Sequence, residues 1–411
     1  MTTLNKNDVR LNVISISIHL ILFFSLFLFL NFPNLSLVLD SLLLWDSAWY
    51  NSIVLNGYHF DPTAQSNSAF FPGFPFIWNI SGLGPIGISI LNIFFYCLGT
   101  FLLFRFFPAR NREWQLLFLA NPSIFFFFIP YSESTFLLSV AILFIGIKKN
   151  LFPLSATGLI CAALTRSVTL VFLPAFLILT LVYWRTSNRQ HFLKLMFLSL
   201  AGILIVALIQ YAETGVWFAF AKAQMHWEKS IGWPDFPLHS WGGSLPLRLD
   251  IAAFFVCAIA AIKLVQDLWK RYRENFLPEP VVLFSLLYMT GTSCVLLISG
   301  GGSLNSLNRY IFCTPFFYMF LIQCSKGNEF NWKTLFSIIA LSIFCAMFFM
   351  TWSSIVEARN LLYLCLFLSG FYLVSIKDRF FIRLIIILLI GISIYMQAKI
   401  CSYFFSNEWV G

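Results

Sequence analysis

The sequence predicts an all-α, polytopic membrane protein, on three observations. The 411 residues are 59% hydrophobic and 10% charged, with a mean hydropathy of +0.83; soluble domains carry roughly 25% charge. Apolar residues recur in runs of about 20, each bounded by Lys, Arg, Pro or Asn, which is the length a helix needs to cross a bilayer. Basic residues gather in alternate connections between the runs, as the positive-inside rule requires. No solenoid period, low-complexity tract or soluble domain interrupts the pattern, so residues 1–411 form one integral membrane domain.

In chain order, about 13 spans are expected near 11–30, 84–104, 115–130, 134–147, 152–165, 168–184, 195–211, 250–265, 281–299, 309–325, 334–352, 360–376 and 382–398. The first lacks a small-residue cleavage site and is read as a retained span, not a signal peptide. With the N-terminus cytoplasmic, 19 of the 26 Lys and Arg fall in inside segments or at their span ends. The same bias accounts for the net charge of +9 without invoking nucleic acid. Ten of the 17 acids, among them Asp46, Asp61, Glu133, Glu213 and Asp250, fall outside. The polar chemistry therefore lies opposite the cytosolic nucleotide pool, where an enzyme needs a donor activated in another way, such as a lipid-linked one. No charged residue is expected at the middle of a span, which lowers the likelihood of a proton-coupled transporter. Eight of the nine cysteines lie inside apolar runs without C-x-x-C spacing and read as packing residues.

Two outer loops, 31–83 and 212–249, carry most of the outside polar residues. Drawn as a helix, 42–53 places Leu42, Trp45, Trp49 and Ile53 on one interfacial face, with Asp46 within about 60° of its centre. A carboxylate beside tryptophans is costly unless used or paired, and its raised pKa would suit a base. Pro72 and Pro75 around Gly73 make a rigid, structural turn. Asn121-Pro122 breaks a span, and Tyr131-Ser132-Glu133-Ser134 emerges outside with Glu133 as a lone acid. Arg166 and Arg309 each stand at an outer span end; a guanidinium there suits a lipid phosphate or a plain interfacial anchor. In 212–249, Trp217, Gln224, His226, Trp227, Trp233, His239 and Trp241 suit either sugar rings or an aromatic belt. The histidines have no metal-ligand spacing, so no metal is expected, although carboxylates such as Asp46 and Glu133 could share one; no other cofactor is expected.

These residues resemble the PIG-V mannosyltransferases of glycosylphosphatidylinositol synthesis and their prokaryotic relatives, which are glycosyltransferases of the GT-C class. The family's W-D-x-x-x-[FY]-x-x-I-x-x-x-G-Y is similar to Trp45-Asp46, Tyr50, Ile53 and Gly57-Tyr58. Its A-F-F-P-G-F-P is similar to Ala69–Pro75, its N-P-x-S-I-F-F and Y-S-E-S to Asn121–Ser134, and its T-R-S to Thr165-Arg166-Ser167. Its Q-x-x-W resembles Gln224 and Trp227, and its late R-Y resembles Arg309-Tyr310. The chain departs from the family where a Glu-His pair often precedes A-F-F-P; here stand Gln65 and Ser66. The resemblance implies a GT-C-like fold with a catalytic first outer loop. It implies transfer of mannose from a polyprenyl-phosphate mannose to a glycan or glycolipid hydroxyl at the non-cytoplasmic face, with inversion. Asp46 would be the base, Glu133 a second polar residue orienting acceptor or base, and Arg166 and Arg309 the holders of the donor phosphate. Trp45, Tyr50, Tyr58, Gln224, Trp227 and Tyr310 would line the substrate site. Short outer loops favour a bacterial plasma membrane over an endoplasmic reticulum membrane. The alternatives are a GT-C transferase for another polyprenyl-phosphate sugar, a lipid or polyisoprenoid transporter, and a non-catalytic partner subunit.

Overall fold

The computed structural model describes residues 6–32, 42–110, 112–227, 232–240, 244–324, 336–337, 339–340, 343–344 and 380–410. The expected spans at 334–352 and 360–376, with Cys345 and Cys365, lie almost wholly or wholly outside these residues, as does Trp241. The described chain is almost entirely helical, with no strand; a single isolated bridge joins His239 to Ser303.

Among the described residues, six helices are long and apolar enough to cross a membrane. They are α1 (Lys6–Asn31), α4 (Pro85–Phe106), α9 (Asn188–Thr214), α11 (Ser244–Glu274), α12 (Pro280–Ser299) and α15 (Phe380–Phe405). The other expected spans within the described residues fold as shorter pieces. Segment 115–130 is split between α5 (Arg112–Leu119) and a 3₁₀ turn at Pro122–Phe127. Segment 134–147 lies in the 17-residue α6 (Glu133–Lys149), and 152–165 in α7 (Phe152–Thr165). Segment 168–184 is a 3₁₀ turn followed by α8 (Phe172–Val182), and 309–325 is divided between α13 (Leu307–Phe312) and α14 (Pro315–Cys324). The segments expected as outer loops add α2 (Asp46–Asn56), α3 (Gly73–Ser81) and α10 (Ala219–Ala223).

Helix α6 is the centre of the bundle. It is apolar on nearly every side and buried on nearly every side, as an internal helix must be. Glycines let its neighbours approach. A Cβ on Gly158 of α7 would stand 2.4 Å from the Leu143 nitrogen, and one on Gly146 would stand 2.3 Å from the Ser155 nitrogen. Small residues at such crossings are how helices pack where lipid removes the hydrophobic drive between them. On its third side, Gly99 of α4 brings that helix against Leu138. By contrast α1, α4 and α9 carry large exposed apolar side chains such as Ile21, Phe29, Phe94 and Phe197, a surface suited to acyl chains.

The two ends of α6 differ in charge. Its last turn holds Lys148 and Lys149, which lie over the rings of Phe107 and Phe106, and Arg105 closes α4 nearby. Its first residue is Glu133, about 25 Å away at 1.5 Å per residue. The chain break at Pro122 is repaired across the bundle: Gln397 of α15 donates to the carbonyls of Leu119 and Asn121 at 2.7 and 2.8 Å. Freed backbone groups at such a depth need a protein partner, and a buried amide supplies it.

Two expectations about the outer segments are corrected. The helix predicted over 42–53 starts only at Asp46, and its buried face is Ser47, Tyr50 and Ile53; of the expected interfacial set only Trp49 and Ile53 lie on the helix. The Ser47 hydroxyl binds the carbonyls of Leu42 and Leu44 and the Tyr50 ring packs edge-on against Phe70 and Phe74, so protein contacts override the apolar periodicity. Asp250, expected at the outer margin of its span, is the seventh residue of α11 and fully buried, because that helix begins six residues earlier.

Candidate functional site

Four charged side chains distant in sequence meet at the Glu133 end of α6. Glu133 is fully buried, and its Oε1 accepts from Arg309 Nε at 2.9 Å, from Arg309 Nη2 at 2.7 Å and from Arg166 Nη1 at 2.6 Å. Arg309 Nη2 also donates to Asp46 Oδ2 at 2.8 Å. Two carboxylates and two guanidiniums thus form one electrically balanced cluster. Neutrality is what burial demands, since an unmatched ion in a low-dielectric interior costs several kcal/mol (about). Asp46 is the opening: its side chain is 18% exposed, against 4% for Arg309, 8% for Arg166 and none for Glu133. Glu133 Oε2 is buried with no hydrogen-bond partner.

Each member is held by its own segment. Asp46 opens α2 directly after Trp45, whose backbone sits at φ 55°, ψ −123°, a conformation that L residues avoid. Asp46 N donates to the Tyr131 hydroxyl at 3.3 Å, and the Tyr50 hydroxyl donates to Ser132 Oγ at 2.9 Å, tying α2 to the loop before Glu133. That loop is in turn held by Asn92 of α4, which donates to the carbonyls of Ile129 and Tyr131 at 2.6 and 2.9 Å. Arg166 ends α7 in extended conformation, with its carbonyl accepting from the Thr169 backbone and hydroxyl. Gly73 at the start of α3 docks there: a Cβ would lie 2.8 Å from the Leu164 oxygen. The Pro72-Gly73 turn is therefore scaffolding for the arginine. Arg309 lies in α13, entered through the left-handed Ser306 at φ 66°.

Aromatic faces carry the guanidiniums. Arg166 lies 4.9 Å over the Tyr310 ring; Arg309 lies 4.7 Å over both Phe126 and Tyr131, and 5.9 Å over Trp409. Stacking lets a guanidinium be buried while its in-plane N–H groups reach carboxylates. Trp409 also packs edge-on against Trp45 at 5.2 Å, so the C-terminal residues form a wall beside the Asp46–Arg309 pair.

The other predicted site residues divide into two groups. Trp227 stands 5.6 Å from Trp49 and 5.7 Å from Phe70, both edge-on, and Gln224 is within 3.4 Å of the Ala69 carbonyl. Trp49 is three residues after Asp46 on α2 and so shares its side of the helix. Trp49, Phe70 and Trp227 form a half-buried aromatic surface flanking the acid. Tyr50 and Tyr58 are instead buried, with both hydroxyls engaged by protein, Tyr58 donating to the Phe70 carbonyl at 3.0 Å. They support the site from beneath. Ser66, where the resembled family has an acid-histidine pair, is fully buried. Asp61 stays apart from the cluster; the Thr63 hydroxyl and backbone, with the Ala64 N–H, hold its carboxyl below the usual range. Among the described residues no three His, Cys, Asp or Glu converge as for a metal ion. Asp46 and Glu133 converge on a guanidinium instead.

Sequence reasoning missed Asn92, Asp250, Asn308 and Trp409. Asn92 had a readable signal, a strongly polar amide inside an apolar run; attention to full charges passed over it. No protein-family model, curated protein or solved structure matches the chain.

Proposed function

We propose that the protein is a membrane glycosyltransferase of the GT-C class, related to the PIG-V mannosyltransferases. It moves mannose from a polyprenyl-phosphate donor to a glycan or glycolipid hydroxyl at the non-cytoplasmic face, most simply that of a bacterial plasma membrane. The observation that carries this reading is the convergence of Asp46, Glu133, Arg166 and Arg309, one from each of four separated motifs, into one cluster that is most exposed at Asp46. The buried Oε2 of Glu133 leaves one acceptor of the cluster unfilled. In this reading the shorter helices join the six long ones in a bundle of about 13 spans, and the lysines of α6 mark its cytoplasmic end.

The chemistry follows from access and charge. The acceptor hydroxyl attacks the anomeric carbon while its proton passes to the Asp46 carboxylate. The bond from that carbon to the phosphate oxygen breaks, and its electron pair leaves with the polyprenyl phosphate. Attack opposite a β-linked leaving group gives an α-mannoside. The bond from Arg309 holds the Asp46 carboxylate in place to accept the proton. Arg309 and Arg166 each retain N–H groups beyond those used on carboxylates, and these stabilise charge building on the phosphate. Glu133, fully enclosed, acts as the anchor that holds both guanidiniums. The Trp49, Phe70 and Trp227 surface offers a face for a sugar ring.

The test is transfer by purified protein from labelled polyprenyl-phosphate mannose, with glucose and arabinose donors in parallel, to glycan and glycolipid acceptors. Wild type should transfer mannose, and Asp46→Asn should be slower by about 10²- to 10⁴-fold, the usual share of a general base. Equal release of polyprenyl phosphate by both proteins would remove Asp46 as the base. Turnover of no donor would overturn the transferase reading.

A further inference from the structure

We propose that Asp250 is the positioning residue that aims Arg309 at Asp46 and Glu133, acting through Asn308. This rests on the transferase reading only for its consequence on turnover; the geometry stands without it. Asp250 is fully buried on α11, and its Oδ1 accepts from Asn308 N at 2.9 Å and from Asn308 Nδ2 at 2.7 Å. Its Oδ2 accepts from Ser240 Oγ at 2.5 Å. Asn308 immediately precedes Arg309, and α13 has only six residues. So short a helix does not hold its own direction. Its first residues also lack a local cap, because the left-handed Ser306 makes no side-chain bond to them. The carboxylate of another helix supplies that cap.

The clamp continues to the other end of α13. Asn308 Oδ1 accepts from Ser123 Oγ at 2.9 Å, Asn121 Oδ1 accepts from Ser123 N at 3.0 Å, and Asn121 Nδ2 donates to the Phe312 carbonyl at 2.6 Å. Both ends of α13 are therefore pinned, one by Asp250 and one by Asn121, with Ser123 bridging them. The Asn121-Pro122-Ser123 stretch thereby gains a purpose besides breaking a span. Arg309 has no slack to exploit: one Nη2 serves two carboxylates at 2.7 and 2.8 Å, and a small rotation of α13 loses one of them. Burying a third carboxylate this deep is costly, and the cost is reasonable where it fixes one arrangement of a neighbouring network.

The experiment is a double-mutant cycle on unfolding in mixed micelles, which needs no activity. Coupling between Arg309 and Glu133 is measured with Arg309→Met, Glu133→Gln and the pair, first in wild type and then with Asp250→Ala. The coupling should fall to less than half with Asp250→Ala and be retained with Asp250→Asn, which keeps an acceptor for Asn308. An Asp250→Ala protein that is less stable but fully coupled would reduce Asp250 to a packing role and overturn the proposal. If Asp250→Ala does not fold, Asn308→Ala serves instead. It removes the Nδ2 bond to Asp250 Oδ1 and the Oδ1 bond to Ser123, leaving only the backbone N–H on Asp250, and unchanged coupling there would equally overturn the proposal. If wild type transfers sugar, Asp250→Ala should lower kcat/KM about 100-fold, as a misplacement of about 1 Å does. It should cause no further loss in Arg309→Lys. A wild type without transferase activity would defeat the functional reading while leaving the cycle to decide the positioning.

Discussion

Replacing Glu133 by Gln removes the one carboxylate that two buried guanidiniums share, and its effect follows from charge counting. Wild type balances Asp46 and Glu133 against Arg166 and Arg309. After Glu133→Gln, Arg309 keeps Asp46, but Arg166, 8% exposed, is left with the Tyr310 ring at 4.9 Å as its electrostatic partner. Breaking one side of a buried pair costs about 3–5 kcal/mol, mostly the penalty of the stranded ion. A desolvated cation–π contact returns about 2 kcal/mol at best and is already present in wild type, so it does not offset the loss. Glu133→Gln should therefore destabilise by about 3–5 kcal/mol. The double variant Glu133→Gln/Arg166→Met should recover at least about 2 kcal/mol of that, because it restores neutrality with an apolar chain of similar reach. Reversible unfolding in mixed micelles measures both. A Glu133→Gln protein as stable as wild type, or a double variant no better than the single, would refute the claim that charge balance governs this site.

Asp46→Asn should destabilise by less than Glu133→Gln, because Arg309 keeps Glu133 and the 18% exposure of Asp46 leaves the uncompensated charge next to water; an Asp46→Asn protein less stable than Glu133→Gln would contradict the assignment. Trp409→Ala removes the contacts with Trp45 and the Arg309 face and should cost about 1–2 kcal/mol, with Trp409→Phe losing less than half as much; equal losses would discount the ring stacking. Gly158→Ala forces a Cβ within 2.4 Å of the Leu143 nitrogen. It should destabilise by about 1–3 kcal/mol, whereas Gly84→Ala, with open space around it, should cost far less in the same unfolding assay. Cysteines placed at the exposed Thr63 and Lys149, in a protein without its native thiols, should label from opposite sides of sealed vesicles, and same-side labelling would overturn the orientation.

Much of the site was legible because its members break the rule of their surroundings. In a chain that is 10% charged, an acid or arginine next to an apolar run stands out, and Asp46, Glu133, Arg166 and Arg309 were all found that way. Their partners were not legible. Arg309 and Glu133 are 176 residues apart, and no periodicity connects them. The arginines read as phosphate holders or interfacial anchors; the fold spends part of each on a carboxylate. The helix at Asp46 was placed four residues early because apolar spacing at 42–45 imitates a helical face. Trp45 instead takes a positive φ that no propensity predicts.

Composition and periodicity by themselves determined an almost wholly helical chain with apolar runs long enough to cross a membrane. They could do so because lipid leaves few backbone choices and because long apolar runs are local in sequence. Tertiary structure alone decided that six of those runs reach spanning length as single helices while others fold into shorter pieces around α6. It alone joined four distant charges into a neutral cluster, and enlisted Asp250, Asn308 and Trp409 around it. Those outcomes depend on which buried ions meet, and burial is a property of the assembled bundle that no single stretch of sequence carries.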